Sequence, residues 1–154
     1  MGALATLTTH EVIDRVLGDG TPGHRDVRGE LVAANDAAWA ATIPRLLELC
    51  RIRMAVLLGC EAEVRDRTGA VDDDLLDSIA AWPNDSRFTG ADRAALAFAE
   101  HYIIDVASID DSTVAAVRGH LGDVGLQNFV SALLVVEQRI RLRLMWERLF
   151  GGER

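Results

Sequence analysis

The sequence contains no lysine, and all 16 of its basic residues are arginines. Without a lysine amine, the chain cannot form a Schiff base with a carbonyl substrate, and it has no P-loop lysine to hold a nucleotide phosphate. Its 24 acidic residues bring the net charge to −8, whereas a phosphate-binding surface needs clustered positive charge. We therefore expect no nucleic-acid partner.

Long apolar runs are also missing. The longest lies within VSALLVVE and is far shorter than the roughly 20 residues that span a bilayer. The first residues, MGALATLTTHE, lack the basic segment of a signal peptide. We therefore expect no membrane partner. Two cysteines, Cys50 and Cys60, without a secretory signal are typical of a reducing compartment, so the predicted location is cytoplasmic.

Metal-binding patterns are absent from the sequence as well. It has no EF-hand loop, no HExxH helix and no paired ExxH motif. His10, His24 and His120 are scattered along the chain without the spacing of metal ligands. We predict that the protein uses no metal and no other cofactor.

The composition that remains is that of one globular domain, predicted over residues 1–154. With 49% hydrophobic and 26% charged residues, the chain can build one sizeable core. Glycine and proline divide it into segments of helical length, and no convincing strand alternation appears. The sequence predicts an all-α fold of seven or eight helices, over residues 9–17, 25–42, 43–58, 60–67, 72–82, 90–105, 110–122 and 123–150.

Two segments carry a resemblance to a known family. In ELCRIRMAVLLGCEAEV, Glu48 precedes Cys60 by twelve residues, across a turn that ends at Gly59. In AAWPNDSRFTGADRAALAFAEHY, a tryptophan, a short loop and a phenylalanine precede a helix that reads RAALAFAE. Both resemble the carboxymuconolactone decarboxylase and alkylhydroperoxidase D superfamily, and together they cover roughly residues 40–105. The matching positions in the second segment are Trp82, Phe88, Arg93 and Glu100.

The resemblance implies an alkylhydroperoxidase-D-like helical bundle that assembles with itself as a dimer, trimer or hexamer. The chain departs from the peroxidase branch of the superfamily, which carries a second cysteine and a histidine where this sequence has Glu63 and Arg67. Glutamate cannot close a disulfide with Cys60, and an arginine that stays protonated cannot shuttle a proton. We therefore do not expect the dithiol peroxidase mechanism.

The candidate site predicted from these residues centres on Glu48. Its neighbours in the sequence are apolar, so its carboxylate needs an arginine partner such as Arg51 or Arg67, or it takes up a proton and becomes a candidate general acid or base. Cys60, Glu63 and Arg67 would share one helix face at i, i+3 and i+7. The opposite effects of Glu63 and Arg67 on a Cys60 thiolate roughly cancel, so a strongly activated nucleophile is not predicted.

Three further residues have both a functional and a structural interpretation. His101 could face the Glu48 pocket as a replacement proton carrier, or it could lie on the surface or in the core. Cys50 fits the core stripe of its helix, and the alternative is a disulfide with Cys60. Glu137 interrupts the apolar last helix and would be a second buried carboxylate, unless Arg139, Arg141 or Arg143 pairs with it.

Three functions therefore stay open from the sequence. The first is a cofactor-free decarboxylase or isomerase of a small carboxylate or lactone, with Arg51 as the substrate-binding residue and with a catalytic set of Glu48, Cys60, Glu63, Arg67 and His101. The second is a degenerate thiol protein that uses Cys60. The third is a non-catalytic oligomer that binds a small molecule. A Glu48 neutralised by an arginine in solid packing would count against the enzymatic hypothesis.

Overall fold

The computed structural model describes residues 7–8, 11–12, 15 and 22–150. These residues form six α-helices and two short 3₁₀ turns, and no strand occurs among them. None of the described helices has the length and apolar character needed to cross a membrane. The helices are α1 (Pro22–Ala41), α2 (Pro44–Leu58), α3 (Glu61–Arg65), α4 (Asp73–Asp77), α5 (Gly90–Ile104) and α6 (Asp111–Phe150), with 3₁₀ turns at Ile79–Ala81 and Val106–Ser108.

The predicted all-α class is confirmed, whereas the count of seven or eight helices and the specific superfamily bundle are not. The predicted helix over 9–17 lies largely outside the described residues. The two helices predicted over 110–122 and 123–150 form one element, α6, which is broken at Gly122. Gly122 has φ +71° and ψ 178°, a conformation that is essentially restricted to glycine.

Glycine also makes the turn between α2 and α3. Pro44 stands in the first turn of α2, where its missing N–H costs no hydrogen bond. Gly59 ends α2 in the left-handed region, at φ +72°, and its N–H donates back to Val56 at 3.2 Å. This left-handed residue reverses the chain and places Cys60 as the residue that immediately precedes α3.

Helix α2 is the central element of the fold. It packs against α5 and α6, and α1 packs mainly along α6. The main core holds fully buried apolar side chains from α2, α5 and α6: Leu47, Met54, Ala99, Phe129, Leu133 and Ile140 are each at most 1% exposed. Every residue from Leu46 to Ala55 except Arg53 is buried, and two of these residues are charged.

Candidate functional site

Glu48 lies at the middle of α2 with no exposed surface, and both of its carboxylate oxygens have partners. Arg51, one turn later on the same helix, donates from Nε to Oε2 at 2.8 Å and from Nη2 to Oε1 at 3.0 Å. The backbone N–H of Thr68 donates to Oε1 at 3.1 Å. The ion pair with Arg51, which the sequence left as an alternative, is therefore the arrangement found.

Arg51 also joins α2 to α3. Its Nη1 donates to Oε2 of Glu63 at 2.6 Å and to the Glu63 carbonyl at 3.0 Å, and its Nη2 donates to the carbonyl of Asp66. The Arg51 side chain is 2% exposed and that of Glu63 is fully buried. One guanidinium thus satisfies two buried carboxylates and two carbonyls, which compensates the desolvation of these charges.

Two arginines of α6 approach the other oxygen of Glu63. Oε1 of Glu63 lies 3.8 Å from Nη1 of Arg143 and 3.9 Å from Nη2 of Arg139. Arg143 is fully buried and also pairs through Nε with Glu147 at 3.2 Å. We call Glu48, Arg51, Glu63, Arg139 and Arg143 the buried charge cluster.

Arg67 and His101 lie outside this cluster. Helix α3 ends at Arg65, so Arg67 does not share a helix face with Cys60 and Glu63 as the spacing predicted. Its Nη2 instead pairs with Asp77 at 2.9 Å. His101 lies exposed in the last turn of α5.

The two cysteines are buried free thiols, so the disulfide alternative is not found. Burial is the largest effect on the pKa of Cys60 and raises it; a hydrogen bond with the Glu63 backbone offsets part of this rise, and the nearby charges of Glu63 and Glu147 raise the pKa further. Burial likewise raises the pKa of Cys50. Neither thiol is therefore in an environment that favours the reactive thiolate.

Glu137 pairs with an arginine, which was one of the two interpretations of this residue. Nε of Arg141 donates to Oε1 of Glu137 at 2.8 Å, and the pair is one helical turn apart on α6. Tyr102 of α5 is the other partner: burial, together with its hydrogen bond to Glu137, raises the pKa of Tyr102 to about 12. Glu137 thus links α5 to α6 as a structural group.

The residues of the second matching segment also have structural contacts. Arg93 donates to the carbonyls of Trp82 at 2.9 Å and Phe88 at 3.2 Å, and so holds the loop that precedes α5. Glu100 accepts from the Trp82 indole at 2.7 Å and from Nε of Arg53 at 2.6 Å. These contacts fix the loop and α5 against α2.

Cavities lie beside Cys60 and between α1 and α6, and Glu48 lines neither of them. A shallow cavity of about 320 Å³ includes Gly59, Cys60 and Arg65 in its lining, although Cys60 is only 1% exposed. The second cavity, of about 600 Å³, lies between α1 and the C-terminal half of α6. We call it the α1/α6 cleft.

The α1/α6 cleft has an apolar lining with a few polar groups. Leu134 and Met145 stand at its surface, each about half exposed, and Trp146 is almost buried. Arg139 of the buried charge cluster and Asn35 of α1 are also part of the lining. No local pattern in the sequence identifies this cleft, because its lining joins residues of α1 to residues of α6 about one hundred positions later.

Comparison of the chain with models of protein families, with curated proteins and with solved structures finds no match.

Proposed function

We propose that the protein binds a small, mostly apolar molecule in the α1/α6 cleft and does not transform it. The observation that carries this proposal is the cleft itself, a concave space of about 600 Å³ with an apolar lining and a few polar side chains. Pockets that bind small molecules typically have about 300–1,000 Å³ and this kind of lining.

The burial of apolar surface would drive the binding. Leu134 and Met145 are 50% and 54% exposed, and both line the cleft. A ligand that covers them would gain about 25 cal/mol for each Å² of apolar surface that it removes from water. Trp146 adds a rigid aromatic wall to one side of the site.

The geometry supports the two catalytic hypotheses less well. Arg51 and the Thr68 N–H occupy the Glu48 carboxylate, which has no exposed surface to receive a substrate proton. Burial raises the pKa of Cys60, which works against its use as a nucleophile. Decarboxylase, isomerase and thiol chemistry stay predictions of the family resemblance.

The superfamily fold and self-association also remain part of the proposal. The left-handed Gly59 between the helix of Glu48 and the short helix after Cys60 supports the resemblance. Leu149 and Phe150, at the end of α6, are 63% and 54% exposed and would suit a contact between copies of the chain.

Calorimetric titration with octanoate and with 1-octanol tests the proposed site. We expect at least one probe to bind the wild type and to lose affinity at least tenfold in Ala34→Trp, because Ala34 lines the cleft and an indole there would fill it. Ala37→Trp is the matched control, since Ala37 is exposed on the same helix and is not part of the cleft lining.

Two results would overturn the proposal. One is that neither probe binds the wild type. The other is that Ala34→Trp binds as well as Ala37→Trp does. Sedimentation velocity at the same concentrations identifies a competing occupant: a wild-type dimer that Ala34→Trp dissociates, together with absence of probe binding, would make the cleft a surface between copies of the chain.

A further inference from the structure

We infer that the molecule bound in the α1/α6 cleft is a carboxylate whose charged end pairs with Arg139. This inference rests on the proposed function and names the chemical class of its ligand. Its basis is the position of Arg139, which belongs both to the lining of the cleft and to the buried charge cluster.

Arg139 has the weakest ion pairing of the three arginines in the cluster. Arg51 holds carboxylate oxygens at 2.6 and 2.8 Å, and Arg143 pairs with Glu147 at 3.2 Å. The carboxylate oxygen beside Arg139, Oε1 of Glu63, lies at 3.9 Å and also faces Arg143. Two guanidiniums thus share one oxygen, and the closer pairing of Glu63 goes to Arg51.

The hydrogen-bond donors of Arg139 are also incompletely used. Its Nη1 donates to Oδ1 of Asn35, which positions the guanidinium between α1 and α6. Its Nε is buried and has no hydrogen-bond partner. A guanidinium offers five N–H donors in a planar fork that matches both oxygens of a carboxylate. The described contacts of Arg139 therefore leave part of its donor capacity unused.

Burial makes the charged form of the Arg139 guanidinium unfavourable. Burial lowers the pKa of this guanidinium, and the neighbouring Arg51 and Arg143 lower it further, while Glu63 and Asp66 compensate in part. A ligand carboxylate at the cleft wall would supply the missing negative charge at close range. A neutral apolar molecule would not compensate the charge of the guanidinium.

The shape of the cleft orients such a ligand. The side chain of Arg139 is 15% exposed, and because Arg139 belongs to the lining, we assign this exposed part to the cleft. Leu134, Leu142 and Met145 surround the same space from α6. The carboxylate end would turn inward to Arg139, and an aliphatic or aromatic body would lie along these three side chains.

Octanoate and 1-octanol separate this inference from the proposed function, because they share an apolar body and differ in the charged group. We expect the wild type to bind octanoate at least tenfold more tightly than 1-octanol. Arg139→Gln should lower the affinity for octanoate about 10- to 100-fold, because it removes a charge-assisted hydrogen-bonded pair. The affinity for 1-octanol should stay nearly unchanged.

Arg148→Gln is the matched control, because Arg148 is exposed on the same helix and is not part of the cleft lining. It should retain octanoate binding within about threefold, and Arg139→Lys should retain more of it than Arg139→Gln does. Urea unfolding of each variant checks that it is folded. The comparison of the two probes on the wild type needs no variant, so the test stands even if Arg139→Gln unfolds.

The inference is wrong if wild-type protein binds 1-octanol as tightly as octanoate, or if folded Arg139→Gln keeps the full octanoate affinity. In both cases the proposed small-molecule site would survive without the pairing of a carboxylate to Arg139. If neither probe binds at all, the proposed function itself fails, and the inference fails with it.

Discussion

A carboxylate with no exposed surface must find the compensation for its charge inside the protein. Glu48 finds it in the bidentate pair with Arg51 and in the N–H of Thr68. The i, i+3 spacing made the first of these predictable, because such residues are neighbours on a helix. The contact of Arg51 with Glu63 was not predictable, since it depends on the angle at which α3 leaves the Gly59 turn.

For Glu48→Gln we predict that the fold is destabilised by about 3 kcal/mol, because removing one partner of a buried ion pair leaves the charge of the other only partly compensated. Arg51 would retain Glu63, which keeps the loss below complete unfolding. Urea unfolding measures the change. Glu61→Gln is the control: Glu61 is exposed and pairs with Arg65 at 3.3 Å, so the change should be within about 0.5 kcal/mol. Equal urea midpoints for Glu48→Gln and the wild type would contradict a structural role.

Among the elements, the sequence predicted the long helices better than the short ones. Thr89 and Asp92 have the spacing of a capping box at the start of α5, and the structure has both of its hydrogen bonds. Helix α3, predicted over 60–67, covers only Glu61–Arg65. Arg67 leaves the helix and pairs with Asp77, a residue ten positions later that no local pattern could identify.

The break in α6 gives a prediction about elements. Gly122→Ala should destabilise the protein by about 1–3 kcal/mol, because an alanine is strained at φ +71° and ψ 178°. No atom would clash with the added methyl group, so the cost comes from the backbone alone.

Gly119 offers the matched control for this substitution. It lies exposed within the first part of α6, and a Cβ there also meets no atom within 4 Å. Gly119→Ala should stabilise the protein by up to about 1 kcal/mol, since alanine favours the helix. Thermal and urea unfolding measure both variants. Stabilisation of the protein by Gly122→Ala, as by Gly119→Ala, would show that position 122 does not need a glycine at its positive φ.

On the scale of the whole molecule, the cleft arises from the way α1 docks on α6. Its lining combines residues about one hundred positions apart, such as Asn35 and Arg139. The helical period predicts which residues share a face, but it does not predict that two faces will meet with a gap between them. The candidate site inferred from the sequence centred on the motif residues of α2 and α3, whereas this gap lies between α1 and α6.

The indole N–H signals of the three tryptophans test the position of the binding site most directly, because each tryptophan lies in a different part of the molecule. The Trp146 side chain lines the α1/α6 cleft, Trp39 lines a separate shallow cavity, and the Trp82 indole donates to Glu100 beside α5. In a ¹H–¹⁵N spectrum each indole N–H gives its own signal, and Trp146→Phe assigns the signal that matters. During a titration with octanoate, we predict a saturable shift of the Trp146 signal while the signals of Trp39 and Trp82 stay in place. A saturable shift at Trp82 or Trp39 with none at Trp146 would contradict the assignment of the binding site to the α1/α6 cleft.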